Sequence, residues 1–231
     1  MSEPAEYAEV ARAESERGEL VLRSRRPASP AEAADVLELR VNGVFVMDTH
    51  ETGSEIEMAA LALSLVEAPH SVLVGGLGLG FTTARVLADP RVRRATVVEI
   101  EEALIGWMRD GTVPHGPALL ADDRLQVVNA DILMAVAEAR SHYDLVLLDV
   151  DNGPGYLVHD PNAALYEPVF LRHCRDLLNP GGVLVIWSAA GAPTLLTALE
   201  EVFDHASEHC YPVLLGQRHE TYHLYAATRT G

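Results

Sequence analysis

The sequence has few cysteines, few positive charges and no long apolar run. Cys174 and Cys210 are its two cysteines, and they lie far apart without a metal-type partner. This usage fits a reducing compartment, and we expect both thiols to fill the core. No apolar run reaches the roughly 18 residues of a membrane span, and the acidic segment 1–17 lacks the apolar core of a signal peptide. We therefore expect a cytoplasmic protein without a membrane partner.

Positive charge is scarce relative to negative charge. Only 17 Lys+Arg stand against 34 Asp+Glu, which gives a formal net charge of −17 over 231 residues. Nucleic acids and anionic membranes require clusters of basic side chains, so this balance argues against both as partners. It is compatible with a cationic small-molecule substrate, and equally with a soluble, self-repelling surface. The 48% of hydrophobic residues is ordinary for a globular protein.

Residues 1–52 are expected to form an N-terminal tail and a small antiparallel β unit. Residues 1–18 are polar and predict a helix or a loose tail. Further along, the β-prone runs 36–41 and 44–47 flank Asn42-Gly43, and this dipeptide between two such runs is a strong hairpin signal. The segment before the hairpin, over 27–34, predicts a loop.

Residues 53–231 are expected to form one Rossmann-like domain that binds a nucleoside. A helix is predicted over 54–66, with Ser54 and Glu57 as a capping box. From residue 72 onward, short Val-, Leu- and Ile-rich runs alternate with helical segments, and the chain ends in two β-prone runs. Apolar strands separated by helices are typical of a parallel sheet covered on both faces. We predict an α/β three-layer sandwich whose mostly parallel seven-stranded sheet ends in an antiparallel hairpin.

A glycine-rich turn follows the first strand of this pattern. Gly76, Gly78 and Gly80 lie between an apolar strand and a helix. Glycines let the backbone approach a ligand closely, and a helix start offers unpaired N–H groups. The turn lacks the third glycine of the dinucleotide fingerprint, which would stand at Phe81, and the Gly-Lys-Ser/Thr of a phosphate loop. Tight packing of strand against helix is the alternative explanation of these glycines.

Acidic residues follow the next two strands. Glu99 precedes Ile100 about 20 residues past the glycine turn, where a carboxylate can accept both hydroxyls of a ribose. Asp131 precedes Ile132 after the third strand, where it can accept an adenine amino group or cap the next helix. Together with the glycine turn they describe a nucleoside pocket without a pyrophosphate site. This pocket indicates S-adenosylmethionine or a relative.

Several motifs between about residue 36 and residue 187 occur together in one order: Val41-Asn42-Gly43-Val44, Glu57-Met58, the glycine turn, Val98-Glu99-Ile100, Asp123-Arg124-Leu125, the run 143–149 and Leu178-Asn179-Pro180-Gly181-Gly182. Through these motifs the sequence resembles the spermidine synthase family, which has the fold of class I S-adenosylmethionine-dependent methyltransferases. The resemblance implies that Glu99 holds the ribose, that Asp131 holds the adenine and that Asp149 faces the reaction centre. It also implies a homodimer.

The chain departs from the family pattern in the half of the site that receives the amine. The family's glycine turn carries an aspartate where this chain has Leu79, and that carboxylate helps receive the amine of decarboxylated S-adenosylmethionine. Leu79 removes a charge that would repel the carboxylate of ordinary S-adenosylmethionine. The family's Tyr-His-Glu reads here as Glu55-Ile56-Glu57, so only Glu57 is kept. The nucleoside half of the site is therefore expected to be kept and the polyamine half to be rewritten.

Transfer from a sulfonium to an amine requires a neutral nucleophile in line with the S–C bond, and a group that takes the proton or stabilises the cation. Asp149 is the first candidate for that role and Asp151 the second, unless Asp149 only binds loop backbone. The predicted substrate-binding residues are Glu51, Glu55, Glu57, Asn152 and Tyr156. The predicted cofactor-binding residues are Gly76, Gly78, Leu79, Gly80, Glu99, Ile100, Asp131, Ile132 and Asp149.

No metal is expected. The string from His219 to His223 matches the zinc protease motif, but that motif works on a helix and this string enters a β-prone run. Trp187 ends the fifth strand of the pattern, and we expect it to lie in the core rather than beside the nucleoside.

The sequence thus predicts an S-adenosylmethionine-dependent transferase of spermidine synthase-like type. We expect methyl transfer to an amine or another small nucleophile. The alternative is a polyamine aminopropyltransferase that uses decarboxylated S-adenosylmethionine. A nucleoside-binding protein without catalysis is the third possibility.

Overall fold

The computed structural model describes residues 7–26, 35–157, 159–215 and 218–231, and these residues contain two sheets. None of the helices in the described residues is long and apolar enough to cross a membrane. The two sheets share one buried core, because Leu20 and Leu22 of the first sheet pack with Met58, Val86 and Leu104 from helices of the second.

The first sheet is an antiparallel meander in the order β1-β2-β3-β4. The predicted helix or tail over 1–18 is wrong where the structure describes it, because residues 7–15 form a strand that pairs with its neighbour. Ala and Glu favour helix in isolation, but pairing with a neighbouring strand overrides this weak preference. Residues 1–6 and the predicted loop 27–34 lie outside the described residues. The strands are β1 (Tyr7–Ser15), β2 (Gly18–Arg25), β3 (Val36–Val41) and β4 (Val44–Asp48).

The hairpin between β3 and β4 turns at Asn42 and Gly43, as the sequence predicts. Their φ angles are 51° and 76°, and a two-residue turn of this kind requires positive φ at both positions. The Asn42 side chain also binds the neighbouring β1–β2 turn. Its Oδ1 accepts from the Glu19 N–H at 2.9 Å, and its Nδ2 donates to the Arg17 carbonyl at 3.0 Å. One side chain therefore holds two turns together.

The second sheet has seven strands in the order β10-β11-β9-β8-β5-β6-β7. Five strands of this order, β9, β8, β5, β6 and β7, are parallel to one another. Strand β11 runs antiparallel to β9, and β10 runs antiparallel to β11. This confirms the predicted mostly parallel sheet with a closing hairpin. The strands are β5 (Ser71–Gly75), β6 (Arg94–Glu99), β7 (Leu125–Asn129), β8 (Tyr143–Leu148), β9 (Leu178–Ser188), β10 (His205–Leu215) and β11 (Arg218–Thr228).

Helices cover both faces of this sheet and complete the predicted three layers. The first three helices bury apolar side chains in the core shared with the N-terminal sheet. The last three bury theirs in a second core on the other face. The helices are α1 (Gly53–Leu65), α2 (Phe81–Leu87), α3 (Glu102–Asp110), α4 (Gly116–Leu120), α5 (Ile132–Glu138), α6 (Pro168–Leu177) and α7 (Pro193–Val202), with a 3₁₀ helix at Asp160–Tyr166.

The start of α1 differs from the predicted capping box. The helix begins at Gly53, and its N-cap residue is Thr52, which makes no side-chain cap hydrogen bond. Ser54 therefore lies inside the first turn, where its Oγ donates to Glu55 Oε2 at 2.7 Å. The predicted pairing of Ser54 with Glu57 is wrong because the helix starts earlier than the sequence pattern indicates.

We expect Asn42→Ala to lower the free energy of unfolding by about 2–4 kcal/mol, because it removes two hydrogen bonds and puts alanine at positive φ. Asn42→Gly should cost less, since glycine adopts this φ without strain. Urea denaturation of both variants measures the difference. Equal stability of wild type and the alanine variant would contradict the role assigned to Asn42.

Candidate active site

A cavity opens at the carboxyl ends of β5, β6 and β8, with the N-terminal sheet forming part of its wall. Strand β5 pairs with β6 on one side and β8 on the other, so the chain reverses its winding direction here. Ligands of open α/β sheets bind at such a reversal. The N-terminal sheet adds an apolar wall that the sequence pattern did not reveal, made of Leu20, Leu39, Val41, Val46 and Met47.

The glycine turn is shaped by close packing. Gly76 has a φ of 92°, and a Cβ on it would lie 2.1 Å from the Asp149 carbonyl oxygen. A Cβ on Gly78, which has a φ of 49°, would lie 2.7 Å from Met47 Sδ. Only glycine fits either position. Both glycines also line the cavity, so tight packing and access for a ligand go together here.

Leu79 and Gly80 are placed differently from the other predicted cofactor-binding residues of the turn. Leu79 is fully buried within the core shared by the two sheets, and its backbone oxygen contacts His115 Nε2 at 2.6 Å. Gly80 is the N-cap residue of α2, and a Cβ on it would lie 2.5 Å from Leu119 Cδ2. Neither is among the described residues of the cavity wall.

Glu99 ends β6 and joins the glycine turn to the next loop. It is 7% exposed, and its two carboxylate oxygens accept from the N–H groups of Leu77 and Glu101, each at 2.8 Å. Burial raises the pKa of Glu99, and these N–H groups act against that shift. A carboxylate has about four acceptor positions, so Glu99 retains acceptor capacity toward the cavity that it lines together with Ile100.

Asp131 caps a helix and lies in the cavity wall, so the structure is compatible with both roles that the sequence left open. Its Oδ1 accepts from the Leu133 N–H at 2.8 Å and so caps α5. The residue also lines the cavity, together with Ile132. Capping uses only part of the acceptor capacity of the carboxylate. The remaining acceptor positions of Asp131 can therefore contact a ligand.

The carboxyl groups of Glu55 and Asp149 both line the cavity and interact electrostatically. Asp149 follows β8, where its N–H donates to the Gly75 carbonyl at 2.9 Å and its Oδ2 accepts from Thr82 Oγ1 at 3.3 Å. Glu55, on the first turn of α1, is 8% exposed. Burial raises the pKa of both carboxyls, and the negative charge of Asp149 raises the pKa of Glu55 further. This pair therefore favours a bound proton or a bound cation.

Negative charge dominates the described wall of the cavity. The chain contains no lysine, and Arg17 is the single arginine in that wall, where its Nε pairs with Glu101 at 3.2 Å. The arrangement is suited to a cationic ligand, since a carboxylate attracts an ammonium group and repels another carboxylate. Six carboxylates line the cavity: Glu55, Glu99, Glu101, Asp131, Asp149 and Asp151.

Asp151 serves the loop after β8. Its Oδ2 accepts from Asn162 Nδ2 at 2.7 Å, and its Oδ1 accepts from the Asn152 N–H at 2.7 Å. The carboxylate thereby ties the loop to the 3₁₀ helix. Asn152, a predicted substrate-binding residue, lines the cavity together with His159 and Asn162. Sequence reasoning missed Asn162 because no local pattern shows that this helix folds back over the site.

Glu51, Glu57 and Tyr156 do not occur among the described wall residues. Glu51 is half-buried beside the wall, and its Oε1 accepts from the Gly53 N–H at 3.0 Å. Glu57 is exposed on α1, and Tyr156 is 61% exposed. The structure therefore brings Glu55 into the cavity and leaves these three predicted substrate-binding residues at its margin or outside it.

Trp187 adds an aromatic ring to the cavity wall, and Tyr222 packs against that ring. Trp187 packs against the core, as expected, and it also lines the cavity. Its ring meets that of Tyr222 edge-on at 4.9 Å. Burial raises the pKa of Tyr222 to about 12, and the charge of Glu55 contributes. Among the described residues, nothing accepts a hydrogen bond from the buried Trp187 indole N–H. Tyr222 lies on β11, so the zinc protease string around it is a strand, as predicted.

A sequence model of the spermine/spermidine synthase domain matches residues 52–211. The chain belongs to this family. The match covers the residues that build the described cavity from α1 to β10, and it confirms the resemblance drawn from the motifs.

Two curated relatives are polyamine aminopropyltransferases of archaea. That of Saccharolobus solfataricus is 29% identical over 163 residues, which are 66% of this chain and 52% of the relative. That of Aeropyrum pernix is 30% identical over 162 residues, which are 65% and 51% of the two chains. The chain thus spans about half the length of the curated relatives it matches.

Solved structures share the fold. A spermidine synthase in complex with the transition-state analogue AdoDATO matches with a TM-score of 0.81 at 16% identity, over 96% of this chain and 73% of that one. Human methyltransferase-like protein 13 in complex with SAH matches with a TM-score of 0.55 at 23% identity, over 77% and 82%. The fold is therefore the predicted class I methyltransferase type.

We expect Glu55→Gln to stabilise the ligand-free protein at pH 8 by about 1–3 kcal/mol and to have little effect near pH 5. The folded-state pKa of Glu55 is raised, so folding favours its protonated form, and that contribution is lost as the pH rises. Thermal unfolding at both pH values measures the effect. Glu57→Gln removes the same charge from the exposed side of α1 and is the control; a pH-independent effect of Glu55→Gln would contradict the assignment.

Proposed function

We propose that this chain transfers the aminopropyl group of decarboxylated S-adenosylmethionine to the amine of a small polyamine. The observation that carries the proposal is the carboxyl pair of Glu55 and Asp149 at the end of a nucleoside-type cavity. The donor tail carries an ammonium group, and a polyamine keeps a second ammonium at the amine that does not react. Each positive charge relieves the repulsion between these carboxylates. The family membership and the curated relatives support the same conclusion.

The donor's adenosine fits the half of the cavity at the ends of β6 and β7. In this arrangement Glu99 accepts the ribose hydroxyls and Asp131 accepts the adenine amino group. The apolar wall from the N-terminal sheet, together with Ile100 and Ile132, covers the base. This assignment uses the remaining acceptor capacity of two carboxylates that the backbone already holds in place.

The donor's tail separates the two candidate donors. Ordinary S-adenosylmethionine carries a carboxylate toward the acidic end of the cavity, while the decarboxylated form carries only an ammonium. Leu79 was the reason to expect methyl transfer, because it lacks the family's carboxylate. Its side chain is buried in the core, however, while Glu55 brings a carboxylate where the family has a tyrosine. The acidic character of the cavity is therefore retained.

Methyl transfer is the second candidate. It is favoured by the missing carboxylate at position 79, which leaves one fewer negative group near the donor tail. The expected homodimer and cytoplasmic location stay predictions under either function.

The chemistry is a displacement at the carbon attached to sulfur. The neutral nitrogen of the acceptor forms the N–C bond, and the electrons of the breaking S–C bond go to sulfur, which becomes a neutral thioether. The new ammonium then loses a proton, and Asp149 accepts it. Burial raises the pKa of Asp149, which brings the carboxyl closer to the operating pH and suits it to proton transfer. Asp151 holds the loop and positions Asn152.

We expect decarboxylated S-adenosylmethionine to bind at least about tenfold more tightly than S-adenosylmethionine, a difference of about 1.4 kcal/mol or more. Calorimetric titration with each donor measures it. Glu99→Ala is the control, because it should weaken both donors alike through the shared ribose. Tighter binding of S-adenosylmethionine would overturn aminopropyl transfer and favour the second candidate.

We expect Asp149→Asn to lower kcat for aminopropyl transfer by about 10²- to 10⁴-fold. The fall should exceed any change in donor affinity, because the adenosine contacts are elsewhere. Steady-state kinetics with a diamine acceptor measure the fall in kcat. Glu57→Gln is the control, because it removes a carboxylate that lies outside the described cavity wall. Near-normal kcat in the asparagine variant would remove Asp149 from the mechanism.

A further inference from the structure

Glu208, Cys210 and His223, whose side chains are of types that can bind metal ions, lie close together on the closing hairpin, away from the cavity. The register of β10 with β11 pairs Cys210 with His223, and Glu208 with Tyr225. Residues that are paired across strands, or two apart along one strand, share a face of the sheet. The ligand atoms of Glu208, Cys210 and His223 all lie within 4.8 Å of one another. We propose that these three residues bind one divalent metal ion of the zinc class, with water as the fourth ligand.

The distances suit a small tetrahedral ion. Bond lengths of about 2.3 Å to sulfur and 2.0–2.1 Å to nitrogen place the two ligand atoms about 3.6 Å apart in a tetrahedral zinc site. Cys210 Sγ lies 3.8 Å from His223 Nδ1. Glu208 Oε1 lies 2.7 Å from the same nitrogen, so the carboxylate has to move away by less than about 1 Å to admit the ion. Thiolate, imidazole and carboxylate are all zinc ligands.

A second set of contacts orients the carboxylate. The Tyr225 hydroxyl donates to Glu208 Oε1 at 2.8 Å, and the Ala192 N–H donates to the Tyr225 oxygen at 2.6 Å. Metal sites commonly hold their ligands through such outer hydrogen bonds. The side chains of His223 and Glu208 are 16% and 32% exposed, and Cys210 is exposed, so an ion can reach them from solvent.

The geometry argues against two other interpretations of the cluster, a catalytic triad and a part of the proposed transfer site. A catalytic Cys-His-Glu triad needs the thiol and the carboxylate on different ring nitrogens, but both contacts here fall on Nδ1 of His223. The cluster also lies on the opposite face of β11 from Tyr222, whose ring meets Trp187 of the cavity wall. It is therefore separate from the proposed transfer site.

Metal binding at this cluster has a defined proton balance. Cys210 loses its thiol proton to solvent and binds as thiolate. His223 binds as the neutral ring through Nδ1, so its remaining proton resides on Nε2. The site then links β10, an edge strand, to β11 through the ion. Gly191 of the loop after β9 lies against the His223 ring, because a Cβ on it would be 3.5 Å from Cε1. The ion therefore stabilises the hairpin beside this loop.

Thiol protection tests the site in the full chain with Zn²⁺ alone as the probe. Cys174 is buried and its pKa is raised by burial, so one thiol per folded chain, Cys210, should react with an aromatic disulfide reagent. One equivalent of Zn²⁺ should slow that reaction at least tenfold. Co²⁺ alone should give a thiolate-to-cobalt charge-transfer absorption that is absent in Cys210→Ser. Unchanged reactivity with Zn²⁺, or binding weaker than about 10 μM, would overturn the proposal.

Two variants separate a built site from a cysteine that binds metal by itself. His223→Gln and Glu208→Gln should each reduce Zn²⁺ affinity at least tenfold. His209→Gln removes an exposed histidine of β10 that points to the other face, and it should keep full protection. Protection that survives His223→Gln, or that is lost equally in His209→Gln, would overturn the site. Circular dichroism of each variant establishes that the hairpin is folded in the comparison.

Discussion

The parallel pairing of β5 with both β6 and β8 is the constraint on which the active site depends. Gly75 lies opposite Val98 on one side and Leu148 on the other. The residues that follow these three, Gly76, Glu99 and Asp149, therefore lie side by side at the edge of the sheet. Backbone hydrogen bonds continue the pairing there: the Gly76 N–H donates to the Val98 carbonyl, and the Asp149 N–H donates to the Gly75 carbonyl. The glycine turn and the carboxylates of Glu99 and Asp149 are neighbours because of this register.

The site that results is costly to the ligand-free protein. Carboxylates that lose water without gaining a cation are destabilised, and burial raises the pKa of Glu55, Glu99 and Asp149. Glu99 is compensated by two backbone N–H groups. Asp149 accepts from the Thr82 hydroxyl, and Glu55 accepts from the Ser54 hydroxyl and from its own backbone N–H. This pair is therefore the part of the cavity where a bound cation would gain most.

Sequence reasoning reached the features that follow from local pattern. Apolar strand runs fix where parallel strands end, so Glu99, Asp131 and Asp149 were placed correctly at one edge. Features that depend on distant contacts were missed. The strand at 7–15 exists through pairing with β2, and no local pattern shows that the N-terminal sheet closes the cavity. Cys210 was expected in the core but is exposed, because periodicity alone does not tell which face of a terminal hairpin is covered.

The position of the negative charge, rather than its presence, distinguishes this chain from its family. The family pattern has a carboxylate in the glycine turn and a tyrosine on the first helix, whereas this chain has Leu79 and Glu55. A leucine at position 79 fits the core that the two sheets share, where a carboxylate would be buried without a partner. A carboxylate on α1 keeps an acid opposite Asp149 at the reaction end. The exchange thus keeps a carboxylate in the cavity wall while its position moves from the turn to the first helix.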